Sequence, residues 1–471
     1  MNCKISNNFY NIKNTFELNL SDKSYTEIPC KIENFIYLQK LNLSSNGLTS
    51  ITKNIKKNIH LIELLLNNNS ITSIPIDIGE LMLLKILNLS LNQIYNLPKE
   101  LFSLSNLEIL NLSSNNLTLI PPEIKNLINL KTLDLSLNGI QVFPDELCSL
   151  SELKFLNLDV NELKQIPHTI GGLKSLENLY LFKNEIFEIP PNIGHLKKLE
   201  ILKLDFNKLT TIPSEIGELV NLKILKLNFN KLSKLPKEIG KMVSLEKLDL
   251  SNNQLTEIPS EIGDLINLSK LCLYSNKLTI LPQNIKNIKK IKILMLSFNK
   301  LHFIPPEIGD LQNLIDLHLY NNNLLELPNE ICNLYNLRNL WLYNNQLKEI
   351  PNNIDKLHNL QKIYLFNNKI EKLPEEICFL KKIQEIHVHG NNLIDLPKNI
   401  LNLKNALIIN DTSYNINNLA FDCNKLIFSK LNTTLDNLPI GLTEIWLSKN
   451  IKKYNIKLPF GCEIKFYSHF D

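Results

Sequence analysis

Asparagine recurs at a fixed spacing along most of this 471-residue chain. Sixteen asparagines occupy every twenty-third position from Asn46 to Asn391, and no insertion or deletion interrupts the series. A fixed period of about 20 to 50 residues is the signature of a solenoid of stacked repeats. A position that recurs in every repeat is expected to serve the architecture, so function is expected where the repeats differ. The asparagines are Asn46, Asn69, Asn92, Asn115, Asn138, Asn161, Asn184, Asn207, Asn230, Asn253, Asn276, Asn299, Asn322, Asn345, Asn368 and Asn391.

The residues around each asparagine predict a short strand followed by a return segment. The repeat reads LxxLxLxxNxLxxIPxxIGxL, and one clear copy runs from Leu222 to Gly240. The LxL run alternates with a period of two, which indicates a strand with one buried face. Successive strands are expected to pair in parallel. The asparagine amide is expected at the bend after the strand, hydrogen-bonded to backbone groups of neighbouring coils.

Proline and glutamate occupy fixed positions in the return segment. Proline lies six residues after the asparagine in 15 of the 16 repeats, from Pro75 to Pro397, and Thr52 is the exception. Proline fixes φ and ends the strand before the convex side. Glutamate recurs two residues after that proline, which indicates the first turn of a short convex helix rather than a catalytic acid.

This pattern resembles the leucine-rich repeat family, and its IPxxIGxL return resembles the intracellular Ras-group class. The resemblance covers about residues 15–405, which the repeat divides into seventeen coils of equal length. It implies an α/β fold: a curved leucine-rich-repeat solenoid with a concave parallel β-sheet and short convex helical or 3-10 segments. The usual activity of the family is protein binding, and the analogy with this class suggests a small GTPase or a phosphatase subunit as partner.

The two ends of the chain depart from the repeat. Residues 1–14 are polar and predict an N-terminal segment or cap, since terminal coils must present a polar outer surface. After Asn391 the register fails, and LPIGLTEIWL from Leu438 is echoed twenty residues later by LPFGCEIKFY from Leu458. These segments resemble the FNIP-type repeat, a shorter relative of the leucine-rich repeat. Residues 406–471 are therefore predicted to hold diverged repeats and a cap that closes the last sheet edge.

Composition and charge indicate which class of partner and which cellular compartment to expect. The formal net charge is +4, from 51 basic and 47 acidic residues, which is too balanced for a nucleic-acid-binding protein. The N-terminal residues lack the apolar region of a secretory signal, and no apolar run of about 18 residues could insert into a membrane. The eight cysteines are scattered without CxxC pairs, which favours a reducing compartment. We expect a cytoplasmic protein, in the host cytoplasm if the source is viral.

The sequence contains no recognised catalytic or cofactor-binding motif. Neither a GxxxxGKS/T phosphate loop nor a glycine-rich dinucleotide loop occurs, and HExxH and nucleophile-elbow motifs are also absent. His387 and His389 face the same way on one strand, but the nearest other concave histidine, His318, is three coils away, too far to share a metal. We expect no enzyme activity, no metal and no cofactor.

Aromatic residues mark the candidate binding surface. Two residues per coil, four and two positions before the asparagine, are expected to point out of the concave sheet. They are mostly small and polar in the N-terminal half, where Tyr180 and Phe182 interrupt them. Exposed aromatics on adjacent strands would form a contiguous protein-binding patch, and a cross-strand ladder that only stiffens the sheet is the alternative. The later coils predict a hot spot of His318, Tyr320, Trp341, Tyr343, Tyr364, Phe366, His387 and His389.

The sequence therefore predicts a non-enzymatic scaffold that binds a partner protein of unknown identity on its concave face, in signal transduction. A monomer is the expected state. One alternative is a self-assembling structural protein in which the same aromatics join copies of the chain. Others are a regulatory subunit of an enzyme supplied in trans and a small-molecule or glycan binder, since aromatic strips can stack on sugar rings.

Overall fold

Short parallel strands and five-residue 3-10 helices alternate along the chain in a computed structural model. The chain divides into two units, Met1–Leu232 and Ser233–Asp471. No helix in the part of the chain that the structure describes has the length and apolar character needed to cross a membrane. The described residues are 2–5, 8–393, 397, 400, 403, 407–410, 425–428, 443–449, 456–458 and 460–467.

The first unit is a hairpin followed by a stack of coils. β1 (Asn2–Ile5) and β2 (Asn8–Asn11) pair antiparallel. Each later strand pairs in parallel with the next at the spacing of the sequence repeat, as Leu179 and Leu202 do. These strands are β3 (Glu17–Asn19), β4 (Lys40–Asn42), β5 (Glu63–Leu65), β6 (Ile86–Asn88), β7 (Ile109–Asn111), β8 (Thr132–Asp134), β9 (Phe155–Asn157), β10 (Asn178–Tyr180), β11 (Ile201–Lys203) and β12 (Ile224–Lys226). The 3-10 helices are η1 (Cys30–Asn34), η2 (Lys53–Lys57), η3 (Ile76–Glu80), η4 (Lys99–Ser103), η5 (Pro122–Asn126), η6 (Asp145–Ser149), η7 (His168–Gly172), η8 (Pro191–His195) and η9 (Ser214–Glu218).

The second unit repeats the same construction. Its first seven strands keep the spacing of the sequence repeat, as Leu271 and Leu294 do. Its strands are β13 (Lys247–Asp249), β14 (Lys270–Cys272), β15 (Ile293–Met295), β16 (Asp316–His318), β17 (Asn339–Trp341), β18 (Lys362–Tyr364), β19 (Glu385–His387), β20 (Leu407–Asn410), β21 (Lys425–Phe428), β22 (Glu444–Ser448) and β23 (Glu463–Tyr467). Its 3-10 helices are η10 (Lys237–Lys241), η11 (Ser260–Asp264), η12 (Gln283–Asn287), η13 (Pro306–Asp310), η14 (Asn329–Asn333), η15 (Asn352–Lys356) and η16 (Glu375–Phe379). The predicted parallel sheet and short return segments are confirmed.

The register changes in the last four strands. β20 pairs with β19 one residue short of the regular repeat, with Ile408 opposite Ile386. β23 pairs with β22 at an offset of nineteen residues, with Ile464 opposite Ile445. The two segments echo each other twenty residues apart at their Leu-Pro starts, but their strands pair at nineteen, because the second copy has one residue fewer between its glycine and its glutamate. Residues 438–442 and 459 of the two FNIP-like segments lie outside the described residues.

Leucine and isoleucine fill most of the interior of the described coils. Leu202, Leu204 and Ile216 each have 0% of their surface exposed. Burying one such side chain stabilises the fold by about 1.5–3 kcal/mol. Because a coil is too thin to cover its own apolar face, this stabilisation comes from contact with the coils on either side.

The recurring asparagines form a hydrogen-bonded ladder at the bend after each strand. The side-chain Nδ2 of Asn184 donates to the carbonyls of Leu158 at 2.9 Å and Leu181 at 3.2 Å, and its Oδ1 accepts the backbone N–H of Leu163 at 3.0 Å. The side chain is buried, its Nδ2 also donates to the carbonyl of Phe182 at 3.4 Å, and two of its four partners belong to the preceding coil. The predicted role of the asparagine is confirmed, and this set of residues is called the asparagine ladder.

The residue before each ladder asparagine adopts a left-handed backbone conformation. The φ angle of these non-glycine residues lies between 52° and 58°, and Val160 has a φ of 56°. This conformation costs a non-glycine residue about 1–2 kcal/mol. The neighbouring coil holds the bend, since the N–H of Val160 donates to the carbonyl of Phe182 at 2.7 Å.

The return side carries two further hydrogen-bond patterns. From Pro75 to Pro374, each recurring proline precedes a 3-10 helix and its carbonyl accepts the N–H three residues later, as Pro75 does from Ile78 at 3.1 Å. A second, exposed set of asparagines donates to the preceding coil, as Asn221 does to the carbonyl of Lys197 at 2.8 Å. The other members of this set are Asn106, Asn129, Asn267, Asn313, Asn336 and Asn359.

Candidate functional site

Three side chains per coil, rather than two, point out of the sheet. In β17, Asn339 and Trp341 are half-buried while Leu340 between them is buried, and Tyr343 is the next half-buried residue. The outward positions lie six, four and two residues before the ladder asparagine, here Asn345, and are called the first, second and third rows. The first row was not predicted from the sequence, because its residues vary and precede the LxL motif.

The eight predicted hot-spot residues come together as two stacks of rings in the second unit. In the second row, the Trp341 ring lies 5.4 Å from His318 and 4.1 Å from Tyr364, with interplanar angles of 10° and 3°. In the third row, Tyr343 lies between Tyr320 at 4.4 Å and Phe366 at 4.3 Å. The rings of His387 and His389 continue the two stacks, at 4.3 Å from Tyr364 and 4.7 Å from Phe366 respectively. These stacks are called the aromatic ladders.

Only part of the aromatic ladders is open to solvent. Tyr364, Phe366, His387 and His389 are between 5% and 7% exposed. The expectation of an exposed patch is wrong for these four residues, because their side chains are buried and each stacks on a ring of a neighbouring coil. The remaining residues are half-buried: His318, Tyr320, Trp341 and Tyr343.

A carboxylate organises the buried end of the second-row ladder. One oxygen of Glu385 lies 2.7 Å from Lys362 Nζ, and the other accepts the Tyr364 hydroxyl at 2.6 Å and lies 3.3 Å from His387 Nε2. The contact with His387, together with Lys362 and Tyr364, lowers the pKa of Glu385 to about 2. Burial lowers the pKa of His387 despite Glu385. An ionised Glu385 and a neutral, N–H-donating His387 therefore satisfy each other at neutral pH.

Trp341, at the centre of the second-row ladder, carries an unsatisfied donor. Its indole Nε1 is buried, and no described residue accepts a hydrogen bond from it. The buried hydroxyl of Ser297, in the third row beside Tyr320, likewise has no partner among the described residues. A buried polar group without a partner costs about 1–3 kcal/mol.

Tyr180 and Phe182 lie in the first unit, in different surroundings. Lys203 Nζ lies 3.6 Å above the Tyr180 ring, which also meets the edge of Phe155 at 5.1 Å. Phe182 packs edge-to-face on Phe206 at 5.3 Å. Phe155 is a first-row residue and Phe206 precedes a ladder asparagine, so neither lies at a position that the sequence predicts to face out of the sheet.

Asp159 adjoins this second aromatic group. Its Oδ1 accepts the backbone N–H of Phe182 at 2.7 Å. Burial raises the pKa of Asp159 to about 6, with Asp205 and Asp134 adding to the rise and the Phe182 bond and Lys203 opposing it. The carboxyl is thus partly protonated in mildly acidic solution.

The small polar residues of the N-terminal coils are paired within each coil. The hydroxyl of Ser90 donates to Asn88 at 2.7 Å, and that of Ser113 donates to Asn111 at 2.8 Å. Ser136 and Asp134 make the same contact at 2.7 Å. No group of three or more His, Cys, Asp or Glu side chains that could hold a metal ion occurs among the described residues.

Comparison with known proteins bears on this architecture. A family model described as a leucine-rich repeat region matches residues 99–212, 213–323 and 328–416, which is more than half of the chain. Among solved structures, the chain is similar to a leucine-rich repeat protein of Leptospira interrogans, with 38% identity and a TM-score of 0.71. That match covers 84% of this chain and 96% of the other. No curated protein matches the chain.

Two plant receptors are more distant structural neighbours. The Arabidopsis receptor kinase HAESA, solved in complex with the peptide hormone IDA and the co-receptor SERK1, is 27% identical with a TM-score of 0.64. The match covers 92% of this chain and 79% of that one. The ectodomain of GASSHO1/SCHENGEN3 from Arabidopsis thaliana, in complex with Casparian strip integrity factor 2, is 26% identical with a TM-score of 0.64, and the match covers 94% of this chain and 60% of that one.

Proposed function

Since this chain belongs to the leucine-rich repeat family, we propose that it is a non-enzymatic scaffold that binds a partner protein on the concave sheet face of its second unit. The observation that carries the proposal is the group of half-buried rings at the exposed end of the aromatic ladders. Tyrosine and tryptophan are enriched in the energetically dominant parts of protein interfaces. The contact residues are His318, Tyr320, Trp341 and Tyr343.

The half-buried rings and the buried rings have different roles in this proposal. The buried members, such as Tyr364 and Phe366, support the sheet and fix the positions of Trp341 and Tyr343. Contact residues held by rigid neighbours lose little conformational entropy when a partner binds. This assignment keeps the stiffening role for one end of the ladders and the binding role for the other.

The stacking geometry favours a protein over a glycan. Sugar binding by aromatic residues needs a free ring face, and Trp341 has rings at 5.4 Å and 4.1 Å on its two sides. The similar structures of HAESA and GASSHO1/SCHENGEN3 are complexes with peptide or protein partners. By family analogy we propose a small GTPase or a phosphatase subunit as the class of partner.

The test compares quantitative affinity capture by three baits made from the full chain. One is native, one carries Trp341→Ala and Tyr343→Ala, and the control carries Tyr95→Ala and Phe187→Ala. Tyr95 and Phe187 are 55% and 44% exposed and lie outside the strands, so the control also removes two aromatic rings. Circular dichroism must show that all three are folded.

We expect one protein to be retained by the native and control baits and depleted at least tenfold by the ladder variant. Truncating one hot-spot residue weakens binding by about 2 kcal/mol or more, so truncating two is sufficient for a tenfold depletion. Equal capture by all three baits would contradict the proposed site. A mass that rises with concentration in the native chain and not in the ladder variant would instead support self-assembly through the same rings.

We also propose a reducing, cytoplasmic location. Cys148, Cys272, Cys332 and Cys378 are buried free thiols in the structure. The chain has Asn-Leu-Ser sequences at Asn42, Asn88 and Asn111, which would be glycosylation acceptors in a secreted protein. Intact mass spectrometry of the protein from its native source should show no glycans, and glycans at these positions would place it in the secretory pathway.

A further inference from the structure

A row of charged side chains borders the sheet immediately before the first row. In the first unit, members of this border row pair with one another between coils. Glu108 lies 2.9 Å from Lys85 and 2.6 Å from Lys131, and Lys223 lies 2.8 Å from Glu200. Pairing of opposite charges between neighbouring coils neutralises this part of the border.

The border row of the second unit contains cations without such partners. Lys292 and Arg338 are exposed, and no carboxylate of the described residues lies within ion-pair distance of either. The neighbouring members of the row are the uncharged Ile315 and Gln361. Arg338 is the only arginine in the 471-residue chain, and it stands directly before the strand that carries Trp341.

The carboxylates of the neighbouring first row are already engaged. Asp316 accepts a hydrogen bond from the side-chain amide of Asn339. Glu385 is held by Lys362 and Tyr364. The neutral amide of Asn339 leaves the charge of Asp316 in place, but Lys292 and Arg338 outnumber it. Within the part of the chain that the structure describes, the border near the half-buried rings therefore carries a net positive charge, with Lys292 and Arg338 as its available cations.

The aromatic ladders add to this preference. Because the ring faces stack on one another, the rings present mainly their edges to solvent. The edge is the positive end of the quadrupole of an aromatic ring, so it attracts negatively charged groups and carbonyl oxygens and disfavours cations. The half-buried rings and the border cations thus favour the same kind of ligand.

We propose that the occupant of this face is an acidic protein segment whose carboxylates bind Arg338 and Lys292 while its apolar side chains cover Trp341 and Tyr343. The inference rests on the proposed function and specifies the partner. Arginine binds carboxylates in a bidentate geometry that lysine cannot reproduce. Lys292 and Arg338 are two coils apart, about 10 Å, which an extended segment spans in roughly three residues.

Selection of peptides tests the proposal without knowledge of the natural partner. A phage-displayed library of random peptides, roughly 12 residues long to cover the two-coil span, is selected on the full native chain. Binders of the folded Trp341→Ala, Tyr343→Ala variant are then removed. The strongest remaining peptide is labelled with fluorescein and titrated against the native chain, Arg338→Gln and Arg338→Lys. Lys223→Gln is the control, because it removes the same charge from a paired position of the same row.

We expect the selected peptides to be enriched in aspartate and glutamate relative to the library. Arg338→Gln should weaken binding about tenfold, Arg338→Lys by less, and Lys223→Gln not at all, as the loss of one charge-assisted bidentate contact implies. Binding should also weaken as sodium chloride is raised. Ladder-dependent peptides without acidic enrichment, bound equally by Arg338→Gln, would overturn this inference and leave the proposed function standing. A library with no ladder-dependent peptide would contradict the proposed function itself.

Discussion

At the scale of single residues, asparagine holds the coils together because its amide donates and accepts at once. Asn207 donates to the carbonyls of Leu181 and Leu204 at 2.8 Å and 3.0 Å and accepts from the N–H of Ile186 at 2.9 Å. Aspartate could only accept, and serine could not span the three groups. The exposed Asn221, in contrast, donates to the preceding coil from the solvent-facing return side, at 2.8 Å.

These two asparagines give a matched pair of substitutions. Asn207→Ala leaves the buried N–H of Ile186 without its acceptor and should lower the free energy of unfolding by about 1–3 kcal/mol. The carbonyls of Leu181 and Leu204 each lose one of their two asparagine donors but keep the bond from the neighbouring ladder asparagine. Asn221→Ala removes a solvent-exposed bond and should cost about 0.5 kcal/mol. Urea unfolding followed by circular dichroism measures both, and similar losses in the two variants would contradict the role assigned to the asparagine ladder.

Asp159 gives a prediction about pH. Its pKa in the folded protein, about 6, is higher than that of an unfolded aspartate, so the folded state binds the proton more tightly. The stability contributed by the protonated form is present below about pH 4 and is lost as the pH rises through about 6. In Asp159→Asn the side chain is neutral at every pH, so stability is not lost as the pH rises. The amide oxygen can still accept from the N–H of Phe182.

We expect Asp159→Asn to raise the free energy of unfolding at pH 7.5 by about 1 kcal/mol, a value reduced for the solvent screening of a partly exposed carboxyl. At pH 4 the native and substituted proteins should be equally stable, since the native carboxyl is then largely protonated. Thermal unfolding at both pH values measures the difference. A gain of the same size at pH 4 would show that charge is not its cause.

The sequence predicts some residue roles well and others not at all. The ladder asparagine recurs in sixteen of the seventeen coils and has a side chain suited to one role, so its position and bonds follow from the sequence. The left-handed residue before it carries no such signal. Leu137, Val160 and Lys183 all adopt it, because the hydrogen bonds of the neighbouring coil impose the conformation on whatever residue is present.

At the scale of elements, close approach between neighbouring 3-10 helices decides which residues the return side tolerates. A Cβ at Gly309 in η13 would lie 2.3 Å from the carbonyl oxygen of Glu330 in η14. A Cβ at Gly139, after β8, would lie 3.5 Å from its nearest neighbour, the carbonyl oxygen of Leu117, which is an ordinary contact.

We therefore expect Gly309→Ala to force the two 3-10 helices apart and to lower the free energy of unfolding by about 1–3 kcal/mol. Gly139→Ala should be neutral or stabilising by up to about 0.5 kcal/mol, since alanine restricts the unfolded chain. Guanidinium unfolding of the two variants checks the contrast. Equal stabilities of the two variants would mean that the coils accommodate the methyl group at Gly309 without a loss in the free energy of unfolding.

The aromatic ladders show where element-level prediction from sequence stops. The regular repeat places Trp341 beside Tyr364 and Tyr343 beside Phe366, so contiguity could be predicted. Burial could not, because it depends on ring orientation. Because Trp341 and Tyr364 stack with an interplanar angle of 3°, each ring covers one face of the other. The unpaired charge of Arg338 also becomes visible only when the partners of its row are known.

At the scale of the whole molecule, a stack of coils needs its ends covered. The hairpin of β1 and β2 precedes the first coil, where the ring of Tyr10 meets the edge of Phe35 at 6.3 Å. Phe35 is 0% exposed, although it belongs to a terminal coil that has a neighbour on one side only. The predicted cap at residues 1–14 remains a prediction that this contact makes testable.

Tyr10→Ala should expose Phe35, lower the melting temperature and promote self-association through the uncovered end. We expect a stability loss of about 1–2 kcal/mol from the lost aromatic contact. The control is Tyr37→Ala, which removes an aromatic side chain of the same coil that is already 45% exposed. Thermal melts and sedimentation velocity measure the two effects, and an unchanged Tyr10→Ala protein would show that the hairpin is not a cap.

The asparagine ladder also has a consequence for chemical ageing. Asn46 and Asn138 precede glycine, the sequence context in which an asparagine side chain is most readily attacked by the following backbone nitrogen and deamidated. In the folded chain the nitrogens of Gly47 and Gly139 both donate to carbonyls of the preceding coil at 2.8 Å, and the amides of both asparagines are held by the ladder. Deamidation therefore requires the coil to open first. When the coil closes again, the new carboxylate cannot donate to the backbone carbonyls that the asparagine amide bound. The amounts of aspartate and isoaspartate at these two positions would therefore increase with the frequency at which each of the two coils opens.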